Sequence, residues 1–368
     1  MGLNRAGVLS AEGTALEGQL HHRSKSHSTI MRIFKVLLFL VATTLLASLS
    51  ACKSDGSGQS SVMEEETPPK EKVPVPKFDR DSAYAFVEKQ VAFGPRVPNT
   101  DAHQQCKEWL VARFEQYGAK VIEQDFQAKA YTGVTLNATN IIAQYNPQAT
   151  KRILLAAHWD SRPFADSPLS EERKDEPILG ADDGGSGVAV LLEIARQLQA
   201  HPIEMGVDLI LFDAEDYGES GGESAESYCL GAQYWSRNPH VSGKQRPKYG
   251  VLLDMVGAEG ARFTKEYYST QYAPQLVNKL WKLAQNMGYG NYFVNDSGGG
   301  ITDDHYFVNT IARIPMADII NRPVDTQTGF GAYWHTHNDN MDVIDARTLR
   351  AVGQVLLAMT YREANGEF

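Results

Sequence analysis

The chain has 368 residues, of which 42% are hydrophobic and 22% charged, and carries a net charge of −10. That length and balance suit one large globular domain with an appendage. No basic stretch interleaved with aromatics accompanies the acidic balance, so nucleic acid is not an expected partner.

The first elements in chain order read as targeting sequence. Residues 1–30 lack an apolar core and read as an upstream extension, with Met31 as initiator. Met31-Arg32-Ile33-Phe34-Lys35 is a short basic run, 36–46 is almost wholly apolar, and Leu49-Ser50-Ala51-Cys52 closes the segment. That order over 31–51 is a secretory signal. Its apolar core is too short for a membrane-spanning helix and ends in small and polar residues. The Leu-x-Ala-Cys ending resembles a bacterial lipoprotein signal. The resemblance implies a lipidated Cys52 and an exported protein anchored to a membrane, on the periplasmic side or the cell surface. Residues 53–77, rich in Ser, Gly, Glu, Pro and Lys, read as a disordered tether. The folded domain is expected over 78–368.

Within that domain, 81–91 and 100–117 read as helices, the second with Ala102, Cys106, Leu110 and Phe114 at four-residue spacing. Residues 120–128 and 135–145 read as strands. An alternating pattern follows: strands over 152–158, 207–212 and 249–254, helices over 187–199 and 274–287, a strand over 311–319 and a terminal helix over 346–362. The expected fold is α/β, a mixed, mostly parallel central sheet flanked by helices on both faces. Cys106 and Cys229 are in no CxxC pattern. They read as buried small hydrophobes, with one disulfide pair as the alternative.

Metal-type side chains gather where these strands end. His158-Trp159-Asp160 follows one strand, Ala214-Glu215-Asp216 another, and Asp254 a third. Asp182-Asp183 lies among glycines before a helix, and His335-Thr336-His337 lies near the C-terminus. In open α/β sheets ligands collect outside the carboxyl ends of strands, and His and carboxylate donors suit a catalytic Zn²⁺. Asp183 alone would read as a helix cap; with His158 and Glu215-Asp216 nearby it reads as a ligand, leaving Asp182 as cap or support. Adjacent acids after a strand point in different directions, so one of Glu215 and Asp216 can bind metal while the other faces substrate. Asp160 can accept the free N–H of His158. His335 and His337 compete for one role, and Thr302-Asp303-Asp304-His305 reads equally as site or solvated turn. With neither a Gly-x-Ser-x-Gly elbow nor a Walker loop, serine-nucleophile and nucleotide chemistries have no support.

Together, Ala157-His158-Trp159-Asp160-Ser161, Gly180-Ala181-Asp182-Asp183, Phe212-Asp213-Ala214-Glu215-Asp216, Leu253-Asp254 and His335-Thr336 resemble zinc aminopeptidases of the M28 type. Within that superfamily the chain is most similar to the animal-type glutaminyl cyclases and their bacterial relatives. Asp303-Asp304-His305 matches their double-acid loop, Trp334 precedes the ligand histidine, Phe330 lies four residues earlier, and Asp339-Asn340 follows.

The resemblance implies one zinc on Asp183, Asp216 and His335, with Glu215 as proton shuttle. It implies Asp254 and Asp303 as paired hydrogen-bonding acids at the substrate, and Phe330 and Trp334 as apolar walls. His158 and Asp160 would support the metal or hold a second one. The implied reaction converts N-terminal glutamine of peptides or proteins to pyroglutamate with release of ammonia. Three departures stand out. Asp216 replaces a glutamate, so its backbone must approach the metal or the coordination must change. Gly221 occupies the position of a pocket tryptophan, with Trp235 the candidate to replace it. Ala157 replaces a disulfide cysteine. The rival in the same fold is a two-zinc aminopeptidase, whose five ligand positions (His158, Asp183, Asp216, Asp254, His335) are all filled. The rival of another class, a non-enzymatic binding module, would be expected to lose ligands or the shuttle acid.

Overall fold

The structure, a computed structural model, describes residues 72–221, 225–323 and 325–368. The expected extension, signal, Cys52 and most of the tether lie outside the described residues. The ordered chain begins before the expected boundary at Phe78. The Val73 N–H donates to Asn365 Oδ1 at 3.2 Å, and the Pro76 carbonyl accepts from Gln354 Nε2 at 3.0 Å.

Two helices open the domain, α1 (Arg80–Val91) and α2 (Asp101–Gln116). Asp79 and Thr100 cap them, accepting first-turn backbone N–H groups that no intrahelical carbonyl can reach. The strands are β1 (Lys120–Lys129), β2 (Thr135–Tyr145), β3 (Arg152–His158), β4 (Gly206–Phe212) and β5 (Gly250–Asp254). After them come a short β6 (Phe263–Lys265), β7 (Phe293–Ser297) and β8 (Met316–Ile320). Between these lie α3 (Gly185–Ala200), α4 (Leu230–Arg237), α5 (Tyr267–Tyr272), α6 (Pro274–Asn286) and α7 (Asp304–Phe307), and α8 (Ala346–Ala364) closes the chain.

Six strands form the main sheet in the order β1-β2-β4-β3-β5-β8. β1 and β2 pair antiparallel at one edge, and β4, β3, β5 and β8 run parallel. This is the expected mixed α/β sheet. The inner strands are apolar on both faces because helices cover both. Alternate side chains of β3 show the period-two division: Ile153, Leu155 and Ala157 join a core with Val188, Leu191 and Val352, whereas Leu154 and Ala156 pack with Ala232, Trp235 and Phe307.

One expected element differs. The apolar run over 311–319 divides into a π-helical turn, Val308–Ala312, and the strand β8. Arg313 turns the chain in the left-handed region at φ 56°, and Pro315 precedes the strand. Asn309 then satisfies both backbone groups of Met316, accepting its N–H and donating to its carbonyl, each at 2.9 Å.

Candidate metal centre and active site

Every strand-end residue singled out in the sequence converges on the carboxyl edge of the parallel strands. His158 ends β3, Asp254 ends β5, Glu215 and Asp216 lie just beyond β4, and Asp183 precedes α3. His335 arrives from the long segment between β8 and α8. The turn residues here are strained: Ala214, Met255 and His335 have φ of 52°, 48° and 54°. A non-glycine residue in such a conformation costs about 1–3 kcal/mol, a cost typically stored at functional sites. Gly184, at φ 88°, makes the close approach possible, since a Cβ there would lie 2.9 Å from His158 Cε1.

Asp183, Asp216 and His335 bring ligand-type atoms within 4.8 Å of one another, all buried. His335 Nε2 lies 3.1 Å from Asp216 Oδ1 and 3.8 Å from Asp183 Oδ2. Despite its shorter side chain, Asp216 reaches this group because its backbone is drawn in. Its N–H donates to Asp160 Oδ2 at 3.1 Å, and its carbonyl accepts from Arg162 Nη1 at 2.7 Å. A second group, His158, Asp183 and Asp254, shares Asp183 with the first. His158 Nε2 lies 3.0 Å from Asp183 and 3.2 Å from Asp254. Asp160 is 3.5 Å from His158 Nδ1, near the role expected, and it also accepts the N–H of Glu215 at 3.0 Å.

The donor chemistry fits a divalent cation. Two carboxylates and an imidazole face one point, and Asp216 Oδ2 is buried there without a hydrogen-bond partner. Such an orphaned polar atom is costly unless something satisfies it. Burial, aided by Asp216, Asp303 and Asp304, pushes Glu215 well above the usual carboxylate range. Burial does the same to Asp254, with Asp183 and Asp303 adding to it. Against burial, His158 holds Asp183 below its ordinary value, and Asp216 and Asp166 push His335 up to about 9.

Glu215 borders a cleft of about 370 Å³ with Asp254, Asp303, Phe330, Trp334 and His335. Phe330 stacks on Trp334 with centroids 4.5 Å apart, and Trp334 stacks on His335 at 3.7 Å. The expectation for Trp235 is redrawn here, while the cysteines are the buried residues expected. Trp235 is fully buried against Phe212, and Tyr228 lines the cleft instead. Asp303 also lies with His305 and Asp318 in a buried group whose ligand-type atoms fall within 4.8 Å of one another. Cys106 and Cys229 are free thiols. His337 binds the Arg173 carbonyl at 3.1 Å in an exposed position, which leaves His335 at the centre.

Three supporting residues, Asp166, Arg162 and His103, escaped the sequence reading, and Asp339, matched there by resemblance, had no role assigned. Asp166 lies 3.3 Å from His335 Nδ1 and is held by Arg162. Asp339 accepts the backbone N–H groups of Asp182 and Asp183 at 2.8 and 3.1 Å. His103 braces Asp213, beside the Glu215 turn, at 2.9 Å. A buried acid that accepts backbone N–H groups has no sequence signature, although Asp339 follows the ligand histidine closely enough to have been suspected.

The model of Peptidase family M28 matches residues 140–360. A glutaminyl-peptide cyclotransferase of Drosophila melanogaster is 29% identical over 298 residues, spanning 74% of this chain and 79% of that protein. The structure of Bacteroides thetaiotaomicron glutaminyl cyclase bound to N-acetylhistamine superposes with a TM-score of 0.76 and 51% identity, over 78% of this chain and 99% of that one. A Zn-dependent exopeptidase from Parabacteroides distasonis matches with a TM-score of 0.76 and 49% identity over the same shares.

Proposed function

We propose that this chain, which belongs to peptidase family M28, is a zinc-dependent glutaminyl-peptide cyclotransferase. The observation that carries the reading is the stack of Phe330 and Trp334 on His335, beside Glu215. An apolar wall laid against a metal-type histidine shapes a glutamine side chain and excludes water. The likeness to glutaminyl cyclases from an insect and a bacterium supports it.

Asp183, Asp216 and His335 would hold the zinc, a three-ligand set with an open position. When bound, zinc supplies a Lewis acid to the γ-carbonyl oxygen of the substrate. The chain's own residues do the rest. Phe330 and Trp334 hold the glutamine methylenes and fold the side chain back onto its own amine. The nucleophile is already tethered, so orientation supplies much of the acceleration. Glu215 accepts a proton from the α-amine as the bond from nitrogen to the γ-carbon forms. It returns the proton to the departing nitrogen as the amide C–N bond breaks, releasing ammonia. Asp254 and Asp303 line the same cleft as acceptors for the amine.

We propose one zinc, on the group whose histidine the Phe330–Trp334 stack lies against. The grouping of His158, Asp183 and Asp254 is what favours a second reading, a two-metal aminopeptidase. Mass spectrometry of a Gln-starting peptide separates them. The expected result is loss of ammonia with the peptide intact, with one zinc per chain by metal analysis. Removal of the whole first residue would promote the aminopeptidase.

The substrates we propose are peptides or proteins with an N-terminal glutamine. Localisation follows from the signal and Cys52: a lipid-anchored, exported protein. Cys52→Ser, in cells translating from Met31, is expected to move the protein from the membrane to the soluble fraction with specific activity unchanged. Membrane association that survives the change would count against the anchor.

A further inference from the structure

The shuttle acid has a neighbour that the chemistry above does not use. Cys229 is fully buried, and its Sγ lies 3.1 Å from Glu215 Oε1. The two residues are also joined through the backbone, the Cys229 N–H donating to the Glu215 carbonyl at 2.8 Å. Cys229 adopts a left-handed conformation, φ 57°, at the start of α4. For a side chain with a Cβ that is an unfavourable geometry, and it persists where the surroundings over-determine it. Here it aims the thiol at the carboxylate. The sulfur lies within 4.8 Å of ligand-type atoms of both Glu215 and Asp303, between two acids that face the cleft.

We propose that Cys229 is a positioning residue for the cyclisation, its S–H donating to Glu215 Oε1 and fixing the carboxylate plane so that the acid presents a constant face to the substrate amine. This rests on Glu215 being the shuttle. A thiol suits the place. It is small enough for the buried start of α4, and it is a weak donor that does not take the proton-accepting edge away from the acid. Burial, with Glu215 and Asp304 adding to it, pushes the thiol well above its ordinary value, so the donor hydrogen is retained. Cys229 packs in a core with Phe212 and Trp235, as Cys106 packs with Leu110 and Phe114, but its Sγ also meets an acid of the cleft.

Two measurements on the full, zinc-loaded protein test it. In steady-state kinetics Cys229→Ala is expected to lower kcat roughly ten-fold, the order of one lost hydrogen bond to a charged group. KM and zinc content should stay near wild type, and Cys229→Ser, which restores a donor, should recover most of the loss. Equal impairment of the Ala and Ser variants, or an Ala variant with wild-type kcat, would overturn the proposal. Infrared spectroscopy gives a readout independent of turnover. One S–H stretching band, identified by its disappearance in Cys229→Ala, should move to higher frequency in Glu215→Gln. A band unmoved by that change would show that no hydrogen bond joins the pair, even in a protein whose wild type releases ammonia normally. Wild-type protein that releases no ammonia, yet shows the shifted band, would sink the cyclase reading and leave the contact standing.

Discussion

Glu215→Gln is expected to lower turnover by about 10²–10⁴-fold, the usual worth of a general base. Zinc content and substrate binding should be unchanged. Glutamine keeps the shape and the hydrogen-bond reach of glutamate but cannot accept the proton. The magnitude follows from the environment. Burial and the acids Asp216, Asp303 and Asp304 lift the carboxyl well above its ordinary range, so it holds a proton more readily than a free carboxylate does. The side chain is attached to none of the three residues assigned to zinc, so metal analysis of the variant should match wild type. An ammonia-release assay read beside that analysis decides the matter. Near-normal turnover would rule out Glu215 as base and turn attention to Asp254 and Asp303.

His335→Ala is expected to lose metal and activity together. His335 is the sole nitrogen donor in the group with Asp183 and Asp216, and removing it leaves two buried carboxylates facing each other. The same residue sets a pH dependence for metal binding. Without a cation, Asp216 and Asp166 hold a proton on His335 and push its pKa to about 9 against the effect of burial. A metal must displace that proton, so zinc affinity should fall as pH is lowered and binding should release protons. Titration with zinc in two buffers of different ionisation enthalpy measures the release. A variant that keeps stoichiometric zinc would remove His335 from the ligand set and nominate His337, although the exposed position of His337 on the Arg173 carbonyl argues against it.

His158, Asp216 and Asp254 were legible because they sit at the ends of buried strands, whereas Asp183 and His335 were assigned with the help of the family resemblance. The runs leading to His158, Asp216 and Asp254 are apolar on both faces because the sheet is covered on both, and such runs announce their own ends. The helices with a clear apolar stripe, α2, α3 and α8, were legible within a few residues for the same reason. Failures came where tertiary partners override local pattern. The run 311–319 reads wholly as strand, yet Asn309 bonds the backbone across Pro315 and the first residues of the run fall in a helical turn. Helix α4 begins at a left-handed cysteine, a start that no capping residue marks. Trp235 carried the expectation of a pocket wall, but aromatic character does not say which way a side chain faces, and it packs on Phe212 beneath the sheet. The partners of Asp303 were beyond reach in principle. Asp303 caps the start of α7 and Asp318 lies on β8, and only the tertiary fold brings their ligand-type atoms, with those of His305, within 4.8 Å.

Asp339 accepts the backbone N–H groups of Asp182 and Asp183, residues made 157 and 156 positions earlier in synthesis. His335, four residues before it, comes equally late. A nascent chain that has not yet released this segment therefore carries Asp183 and Asp216 without their nitrogen partner, and the turn that presents Asp183 has nowhere to donate its amides. A metal held by all three residues therefore waits for the segment that carries His335, after β3, β4 and β5 have been made.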